Sequence, residues 1–391
     1  MRGSRSVIVL ATYLVRCPLG GYAWQVAHYL LGLRALGHDV WFYEDTGYYA
    51  PAYNPVTDEV SQTYDYGLAV TAEFFDRIGF GDRWAFVDVQ RNVEHGPAAG
   101  RVDALLREAD LLINLAGVNH IPIERRGGRP AVYIDLDPGY TQLKLASGGT
   151  ALQATLAEHQ HHFTFGENIG TGRSPIPTGG YTWHPTRQPV VVELWANAGA
   201  ARPVYTTVGQ WNAQERDVTY EGRTFQWRKR SEWLRCLDLP TRSGERFEIA
   251  MDVWRVPGDT ELLTSHEWQI VNPLSVSTDF WKYRDYLRSS RGEFTVAKEM
   301  NIRLRSGWFS DRAACYLAAG RPVVEQDTGF GDVLPMGPGV HAFGTVEEAC
   351  EAVRAIEADY QSASAHATEV AQEHFAAPRV LGALLGTVGL L

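Results

Sequence analysis

Apolar and polar positions at the start of the chain follow the order strand, loop, helix, strand. The run Ser6–Tyr13 (SVIVLATY) is continuously apolar and rich in β-branched residues, which predicts a strand buried on both faces. A glycine turn follows at residues 18–21 (PLGG), and apolar residues then recur at helical spacing from Tyr22 to Leu36, until Gly37 ends the helix. Asp39–Glu44 (DVWFYE) predicts a second strand parallel to the first.

The same alternation continues along both halves of the chain. Further strands are predicted at Asp110–Leu115, Ala131–Leu136, His162–Phe165, Val204–Val208, Phe247–Met251, Glu293–Ala297 and Pro322–Gln326, and helices at Trp227–Leu237, Phe280–Arg288 and Trp308–Ala319. From Val346 the tail is helical in pattern, with Thr345 as its cap. Between the two halves of the chain, the Gly-, Pro- and Thr-rich segment 170–189 has no sustained hydrophobic period, which predicts an interdomain linker.

These elements predict an α/β fold made of two Rossmann-like, doubly wound domains. A length of 391 residues agrees with two or three domains. Because ligands of such sheets bind beyond the carboxyl ends of the strands, the two sheets are expected to face each other across a common cleft.

Charge and cysteine content narrow the function classes. The chain has 36 Lys and Arg against 46 Asp and Glu, and a net charge of -10 opposes binding to nucleic acid or to an anionic membrane surface. Its four cysteines have no CxxC or metal-type spacing, so a reducing cytoplasm is expected. No cleavable signal and no apolar run of about 20 residues is present, which predicts a soluble, unexported protein.

The segment from Arg305 to Gly329 combines a loop, a helix, a strand and a glycine turn. Ser306, Gly307 and Ser310 place small residues and backbone N–H groups at a helix N-terminus, which favours an anion such as phosphate. Asp311 in the first turn could accept hydrogen bonds from a ribose. In the alternative interpretation, Ser310 only caps the helix and Asp311 only complements its dipole.

Residues Ser306–Phe330 resemble the donor-binding segment of GT-B-fold glycosyltransferases, in which a loop, a helix, an Ala-Gly-x-Pro-Val-Val turn and a Thr-Gly loop enclose a nucleotide-sugar. Residues 18–44 are similar to the first glycine loop, helix and Leu-Gly-His-Asp-Val strand entry of those enzymes. The resemblance implies an acceptor-side domain at 1–188, a donor domain at 189–370 and a final helix at 371–391 that crosses back to the first domain. Many retaining members carry two glutamates around this helix, where this chain has Gly307 and Cys315.

The resemblance also implies a set of donor-binding residues. A Lys and an Arg in this part of the second domain commonly hold the diphosphate, which favours Lys298 among the four lysines (Lys144, Lys229, Lys282 and Lys298). A solvated Lys and Arg, and an ordinary turn after the strand at 204–208, are the alternatives. The predicted donor set is Gly209, Gln210, Lys298, Arg305, Ser306, Gly307, Ser310, Asp311, Thr328 and Gly329, with Gly20 and Gly21 as a cleft loop on the other wall.

Transfer with inversion needs a general base in the first domain that deprotonates the acceptor. Asp137 is the first candidate, followed by His120 and then Asp135. The two aspartates lie at the end of the predicted strand Ala131–Leu136 and His120 lies just past the strand Asp110–Leu115, and both loops are expected to face the cleft. His28 is interpreted as a packed helix histidine. Asp135-Leu136-Asp137 also spells a metal-binding D-x-D triplet, but the donor segment favours the metal-independent type, and the histidines at 159, 161 and 162 lack supporting ligands.

The predicted function is transfer of a sugar from a nucleoside-diphosphate sugar, a co-substrate, to a hydroxyl or amine of a small-molecule or carbohydrate acceptor, with no metal and no further cofactor. A nucleotide-sugar epimerase of the same fold and a non-catalytic sugar- or nucleotide-binding protein remain alternatives, and a nucleic-acid glycosyltransferase is disfavoured by the acidic charge. No P-loop, HExxH, GxSxG or well-placed GxGxxG motif is present, which argues against typical kinases, zinc proteases, serine hydrolases and dehydrogenases. The sugar, the base, the stereochemistry and the oligomeric state stay open.

Overall fold

Strands and helices alternate through the first half of the chain. A computed structural model describes residues 5–196, 198–213 and 216–391. The strands here are β1 (Val7–Ala11), β2 (Asp39–Asp45), β3 (Ala52–Asn54), β4 (Glu59–Ser61), β5 (Trp84–Asp88), β6 (Val93–His95), β7 (Leu111–Leu115), β8 (Ala131–Asp135), β9 (His161–Thr164) and β10 (Trp183–Pro185). The helices are α1 (Gly20–Ala35), α2 (Asp65–Ile78), α3 (Val102–Glu108), α4 (Tyr140–Ala146) and α5 (Thr150–Ala157).

The second half continues the alternation. Its strands are β11 (Tyr205–Val208), β12 (Val218–Tyr220), β13 (Arg223–Phe225), β14 (Phe247–Ala250), β15 (Gln269–Val271), β16 (Gly292–Thr295), β17 (Val323–Gln326) and β18 (Val340–Phe343). Its helices are α6 (Arg230–Arg235), α7 (Leu239–Ser243), α8 (Asp259–Ser265), α9 (Pro273–Ser277), α10 (Phe280–Ser289), α11 (Glu299–Arg303), α12 (Asp311–Ala318), α13 (Val346–Ala358), α14 (Tyr360–Val370) and α15 (Ala377–Thr387).

Two parallel sheets organise the described residues. The first has the strand order β10-β9-β8-β7-β1-β2-β5-β6, and only β6 at its edge is antiparallel. The second has the order β15-β14-β11-β16-β17-β18 and is parallel throughout. We call the residues that carry each sheet the first and the second lobe. The strand order reverses between β1 and β7 in one lobe and between β11 and β16 in the other, and these switch points are where doubly wound sheets bind ligands.

Burial of β1 on both faces explains why its sequence is continuously apolar. Ile8 and Leu10 pack into the large core that includes α1, whereas Val9 and Ala11 pack into a separate core on the opposite face. The predicted strands of both lobes are confirmed to within about two residues.

The final helix returns to the first lobe, as predicted. α15 packs along α1, and Gly32 of α1 permits this because a side chain there would lie 2.6 Å from Leu381 and 2.7 Å from Ala377. The chain passes beside the start of this helix at Val190, which exchanges backbone hydrogen bonds with Phe375 and Ala377. The interpretation of segment 170–189 as a linker is wrong, because its residues Trp183–Pro185 pair with β9 and extend the first sheet.

The carboxyl edges of the two sheets face each other. Among the contacts between the lobes, Asp137 with Lys298 and Asn168 with Gly329 join loops that follow strands at this edge, and Asp58 of the β3–β4 hairpin pairs with Arg255 after β14. The expected two-domain α/β architecture with a common cleft is therefore confirmed.

Candidate functional site

The switch point of the first sheet is filled by a side chain of the protein itself. After β1, the backbone N–H groups of Leu14, Val15 and Arg16 donate to the Glu44 carboxylate at 2.7, 2.7 and 3.0 Å. The Arg16 side chain adds a hydrogen bond of 2.8 Å to the same buried carboxylate. Successive amides in such a loop form a concavity that suits an anion. Glu44 already occupies it, so the first lobe offers no free site for a phosphate at these amides.

The switch point of the second sheet is built differently. Gly209 follows β11, and a side chain placed there would contact only Met251, at 3.4 Å, within 4 Å. Gln210 beside it is exposed. Lys298 follows β16 on the other side of the switch point. These residues lie where a doubly wound sheet places its ligand. The carboxylate that pairs with Lys298 belongs to the other lobe.

Lys298 crosses the cleft. Its ammonium lies 2.9 Å from Asp137 Oδ1 in the loop after β8, and 3.1 Å from the centre of the Trp227 ring. The lysine side chain is 18% exposed and the aspartate side chain 36% exposed, so the pair lies at a partly solvated depth. Burial lowers the pKa of Lys298, and the Asp137 carboxylate acts in the opposite direction.

A second cation approaches the same carboxylate. Arg216 lies 3.6 Å from Asp137 Oδ2, and its guanidinium packs 5.1 Å from the Trp227 ring centre. Trp227 also meets Tyr140 of α4 edge-to-face at 5.0 Å. The hairpin β12–β13 thus brings aromatic and cationic side chains of the second lobe onto the first lobe.

Lys229 extends this group of positive charges. Its ammonium lies 5.2 Å from the Trp308 ring centre. Burial, followed by the charges of Arg312 and Lys298, lowers the pKa of Lys229 to about 7, against opposing effects of two buried glutamates. We call Lys229, Lys298 and Arg216 the cation cluster.

Two buried glutamates, Glu293 and Glu325, lie close enough to the cation cluster to favour the charged form of Lys229. Glu293 of β16 accepts hydrogen bonds from Arg312 at 2.5 Å and from Thr207 at 3.0 Å, and Glu325 of β17 accepts from the Ser310 amide at 3.1 Å. Burial raises the pKa of both carboxyl groups, in Glu325 with a further contribution from Glu293. The charge of Arg312 is therefore neutralised internally, unlike that of Lys298, which reaches across the cleft.

The loop at Ser306 and Gly307, which was predicted to bind phosphate, contacts the first lobe instead. The amides of Ser306 and Gly307 donate to the carbonyl groups of Asn301 and Thr328, so they are not free donors in this structure. Asn168 of the first lobe hydrogen-bonds the Gly329 carbonyl at 3.0 Å, and its amide donates to the Ser306 carbonyl at 3.0 Å. The close approach that Gly307 and Gly329 allow is to Asn168.

The other residues of the donor segment are also engaged within the protein. Arg305 is 50% exposed and pairs with Asp327 and Asp332 at 3.5 and 3.4 Å, away from Lys298's carboxylate partner. Thr328 is buried and donates to the Trp308 carbonyl. Ser310 caps α12 through the Ala313 amide, and Asp311 accepts from Gln25 of α1 at 3.4 Å. The structure brings Lys298 and Gly209 together at the switch point but does not bring Arg305 to the same carboxylate.

The three candidate bases have distinct surroundings. Asp135 is buried and accepts hydrogen bonds from Thr141, Gln142, Thr164 and the Asp137 amide, at 2.6 to 3.0 Å, so it organises the loop after β8 and its oxygens are occupied. His120 is exposed in the loop after β7 and its ring packs 4.9 Å from that of Tyr48. Only Asp137 of the three contacts the cation cluster among the described residues.

The glycine loop at the start of α1 packs against protein. A side chain at Gly20 would lie 2.4 Å from Cβ of Tyr283 on α10, whereas Gly21 has only the Tyr283 hydroxyl at 3.5 Å. A cavity of about 10 Å³ remains between α1 and α12, room for about one water. His28 is buried beside it, and its two ring nitrogens lie 3.0 Å from the Val191 backbone nitrogen and 3.0 Å from the Trp195 indole nitrogen, which confirms it as a packed histidine.

Sequence reasoning missed Trp227, Lys229, Arg216 and Asn168. The scarcity of lysine was a usable signal for Lys229, since two of the four lysines meet here. The other three carry no motif: Arg216 and Trp227 flank hairpin β12–β13, and Asn168 lies in the loop after β9. In the described part of the chain, no group of three or more His, Cys, Asp or Glu side chains is arranged to hold a metal ion, and no described helix is long and apolar enough to cross a membrane.

Comparisons with known proteins rest on structure alone. No protein-family model matches the sequence, and no curated protein matches it. Among solved structures, an alpha-glucosyltransferase (AGT) in complex with UDP has a TM-score of 0.60 at 9% identity, over 98% of this chain and 100% of that one. The same kind of enzyme with UDP and a 13-mer DNA has a TM-score of 0.58 at 10% identity, over 99% and 100%.

A second kind of neighbour is a protein of Anabaena. Alr3699/HepE in complex with UDP and glucose has a TM-score of 0.57 at 9% identity, over 99% of this chain and 100% of that one. These matches span both lobes and the final helix. With two parallel sheets facing each other across a cleft and a last helix that returns to the first lobe, the chain has the GT-B fold.

Proposed function

We propose that this protein is a glycosyltransferase that moves a sugar from a nucleoside-diphosphate sugar to a hydroxyl or amine of its acceptor. The observation that carries the proposal is the cation cluster at the switch point of the second sheet. Its Lys298 ammonium lies 2.9 Å from Asp137 Oδ1 of the first lobe. The solved neighbours contain UDP or UDP-glucose, so UDP-glucose is the first donor to test.

The cation cluster supplies what a departing diphosphate needs. Fixed positive charges at a partly desolvated site stabilise the negative charge that develops on the leaving group. Lys229 and Lys298 have this role in the proposal, and the faces of Trp227 and Trp308 beside them suit stacking with a base or a sugar. A bound diphosphate also favours the charged form of Lys229, whose pKa lies near 7 without it.

Asp137 has the position of the proton acceptor. It is the carboxylate of the first lobe that faces the proposed leaving-group site, so an acceptor hydroxyl between the two could hydrogen-bond to it and lose its proton as the glycosidic bond forms. His120, which is exposed in the loop after β7 at the same edge of the sheet, has the role of an acceptor contact in the proposal. Asp135 holds the Asp137 loop in position through the Asp137 amide, at 3.0 Å.

The acceptor class that we propose is a small molecule or a carbohydrate. One solved neighbour holds DNA and another holds glucose, so the fold alone does not decide. The net charge of -10 weakens attraction to a polyanion, which favours a neutral acceptor.

Calorimetric titration with UDP tests the donor site. Lys229→Met and Lys298→Met are each expected to weaken UDP binding about tenfold or more, because each removes a cation close to the diphosphate. Lys282→Met is the matched control, since Lys282 is exposed on α10 and its loss should leave the affinity unchanged. Absence of binding by any nucleoside diphosphate would contradict the proposal. Consumption of UDP-glucose without any acceptor would instead indicate an epimerase or a hydrolase.

A further inference from the structure

The cleft of this chain is closed by an ion pair between two residues that the proposed function needs separately. Lys298 is assigned to the diphosphate and Asp137 to the acceptor, yet they lie 2.9 Å apart. The Lys298 ammonium also rests on the Trp227 ring, 3.1 Å from its centre. Two of its sides are therefore occupied, by a carboxylate and by an aromatic face.

A diphosphate that binds beside Lys298 changes which anion the ammonium is attracted to most strongly. It carries more than one negative charge, so it attracts the ammonium more strongly than a single carboxylate does and repels that carboxylate at short range. The exposed side of Asp137, 36% of its side chain, gives the carboxylate room to turn toward the cleft and Arg216. An exchange of partners at Lys298 needs no movement of the buried glutamates.

We propose that Asp137 and the donor diphosphate compete for Lys298, so that this lysine restrains the acceptor-side carboxylate until the donor has bound. The inference rests on the proposed function and adds a regulation of the same site. In the free enzyme the carboxylate is paired with the Lys298 ammonium, which occupies the place that the acceptor hydroxyl would take. Donor binding withdraws the lysine, and Asp137 becomes available to the acceptor hydroxyl. Donor and acceptor then bind in that order.

The competition predicts a gain of affinity from removing a carboxylate of the site. Asp137→Asn is expected to tighten UDP binding about fivefold, since UDP no longer has to displace an ion pair of this kind. Asp137→Ser is expected to do the same, which guards against an effect peculiar to the Asn side chain. Binding is measured by calorimetry on the full chain, with the melting temperature of each variant as a check of folding.

A double-mutant cycle separates competition from simple charge repulsion. In the Lys298→Met background, Asp137→Asn is expected to tighten UDP binding much less than in the wild type, because no lysine remains to be released and only the repulsion of the phosphates is relieved. If it tightens UDP there by the same factor, Asp137 acts only by repelling the phosphates, and the proposal is overturned.

Asp58→Asn provides the matched control for loosening the lobes. Asp58 also forms an ion pair across the cleft, with Arg255 at 2.7 Å, but lies apart from the cation cluster. This variant is expected to bind UDP as the wild type does, and an equal tightening would overturn the exchange at Lys298. Failure of the wild type to bind any nucleoside diphosphate would remove the proposed function itself, whereas normal wild-type binding without tightening in either Asp137 variant would overturn this inference alone.

Discussion

At the scale of single residues, Lys229 is the group whose charge state should report ligand binding. Its pKa in the free protein is lowered to about 7 by burial and by neighbouring cations. A diphosphate beside it raises that pKa again, so UDP binding at pH 8 should be accompanied by proton uptake. Calorimetry in buffers of different ionisation enthalpy measures this uptake.

The sign of the pH dependence follows from the uptake. The complex holds more protons than the free protein above pH 7, so UDP affinity should fall as pH rises from 7 toward 9, by at most about tenfold per pH unit. At pH 8 the UDP phosphate is already ionised, since its own last pKa is about 6. Lys229→Met should abolish the uptake and Lys282→Met should retain it. Uptake that persists without Lys229 would show that another group titrates.

At the scale of elements, the contact between α1 and α10 sets how closely the lobes approach. Gly20→Ala places a methyl group 2.4 Å from Cβ of buried Tyr283, so α10 must shift, at a cost of about 1–3 kcal/mol of unfolding free energy. Gly21→Ala meets only the Tyr283 hydroxyl at 3.5 Å and is expected to be neutral or slightly stabilising. Urea unfolding of the two variants checks the difference, and equal midpoints would contradict this packing.

Elements with strong local signals could be predicted from the sequence. The apolar run of β1, the capped start of α13 at Thr345 and the Pro-Val-Val entry to β17 each depend on neighbouring residues, and each is found within about two positions of its prediction. The hairpin β12–β13 could not be predicted, because its short strands are half polar. Its apolar residues Val218 and Phe225 are buried against Leu143 of α4, about 75 residues earlier in the chain.

The candidate site also has a part that depends on neighbouring residues and a part that depends on contacts distant in sequence. Lys298 and Gly209 were predicted because they directly follow strands, and position relative to a strand end is local information. The amides of Ser306 and Gly307 were expected to be free because they precede the predicted helix, but they donate to the carbonyl groups of Asn301 and Thr328. Asn168 packs onto that loop from 138 or more residues away in sequence, a contact that only the assembled lobes reveal.

At the scale of the whole molecule, the two lobes share one architecture but differ at their switch points. In the first lobe, the Glu44 carboxylate occupies the loop after β1 and accepts hydrogen bonds from three backbone N–H groups. The second lobe keeps Lys298 and Lys229 beside an open glycine turn at Gly209. We therefore propose that the donor binds the second lobe and that the edge of the first lobe, with Asp137, binds the acceptor.

A crystal structure of the full chain with UDP tests that assignment most directly. The account predicts the diphosphate at the switch point between β11 and β16, within about 3 Å of both the Lys229 and the Lys298 ammonium groups, with Asp137 released from the lysine. UDP bound instead over the loop after β1, or on the outer surface away from both lysines, would contradict it.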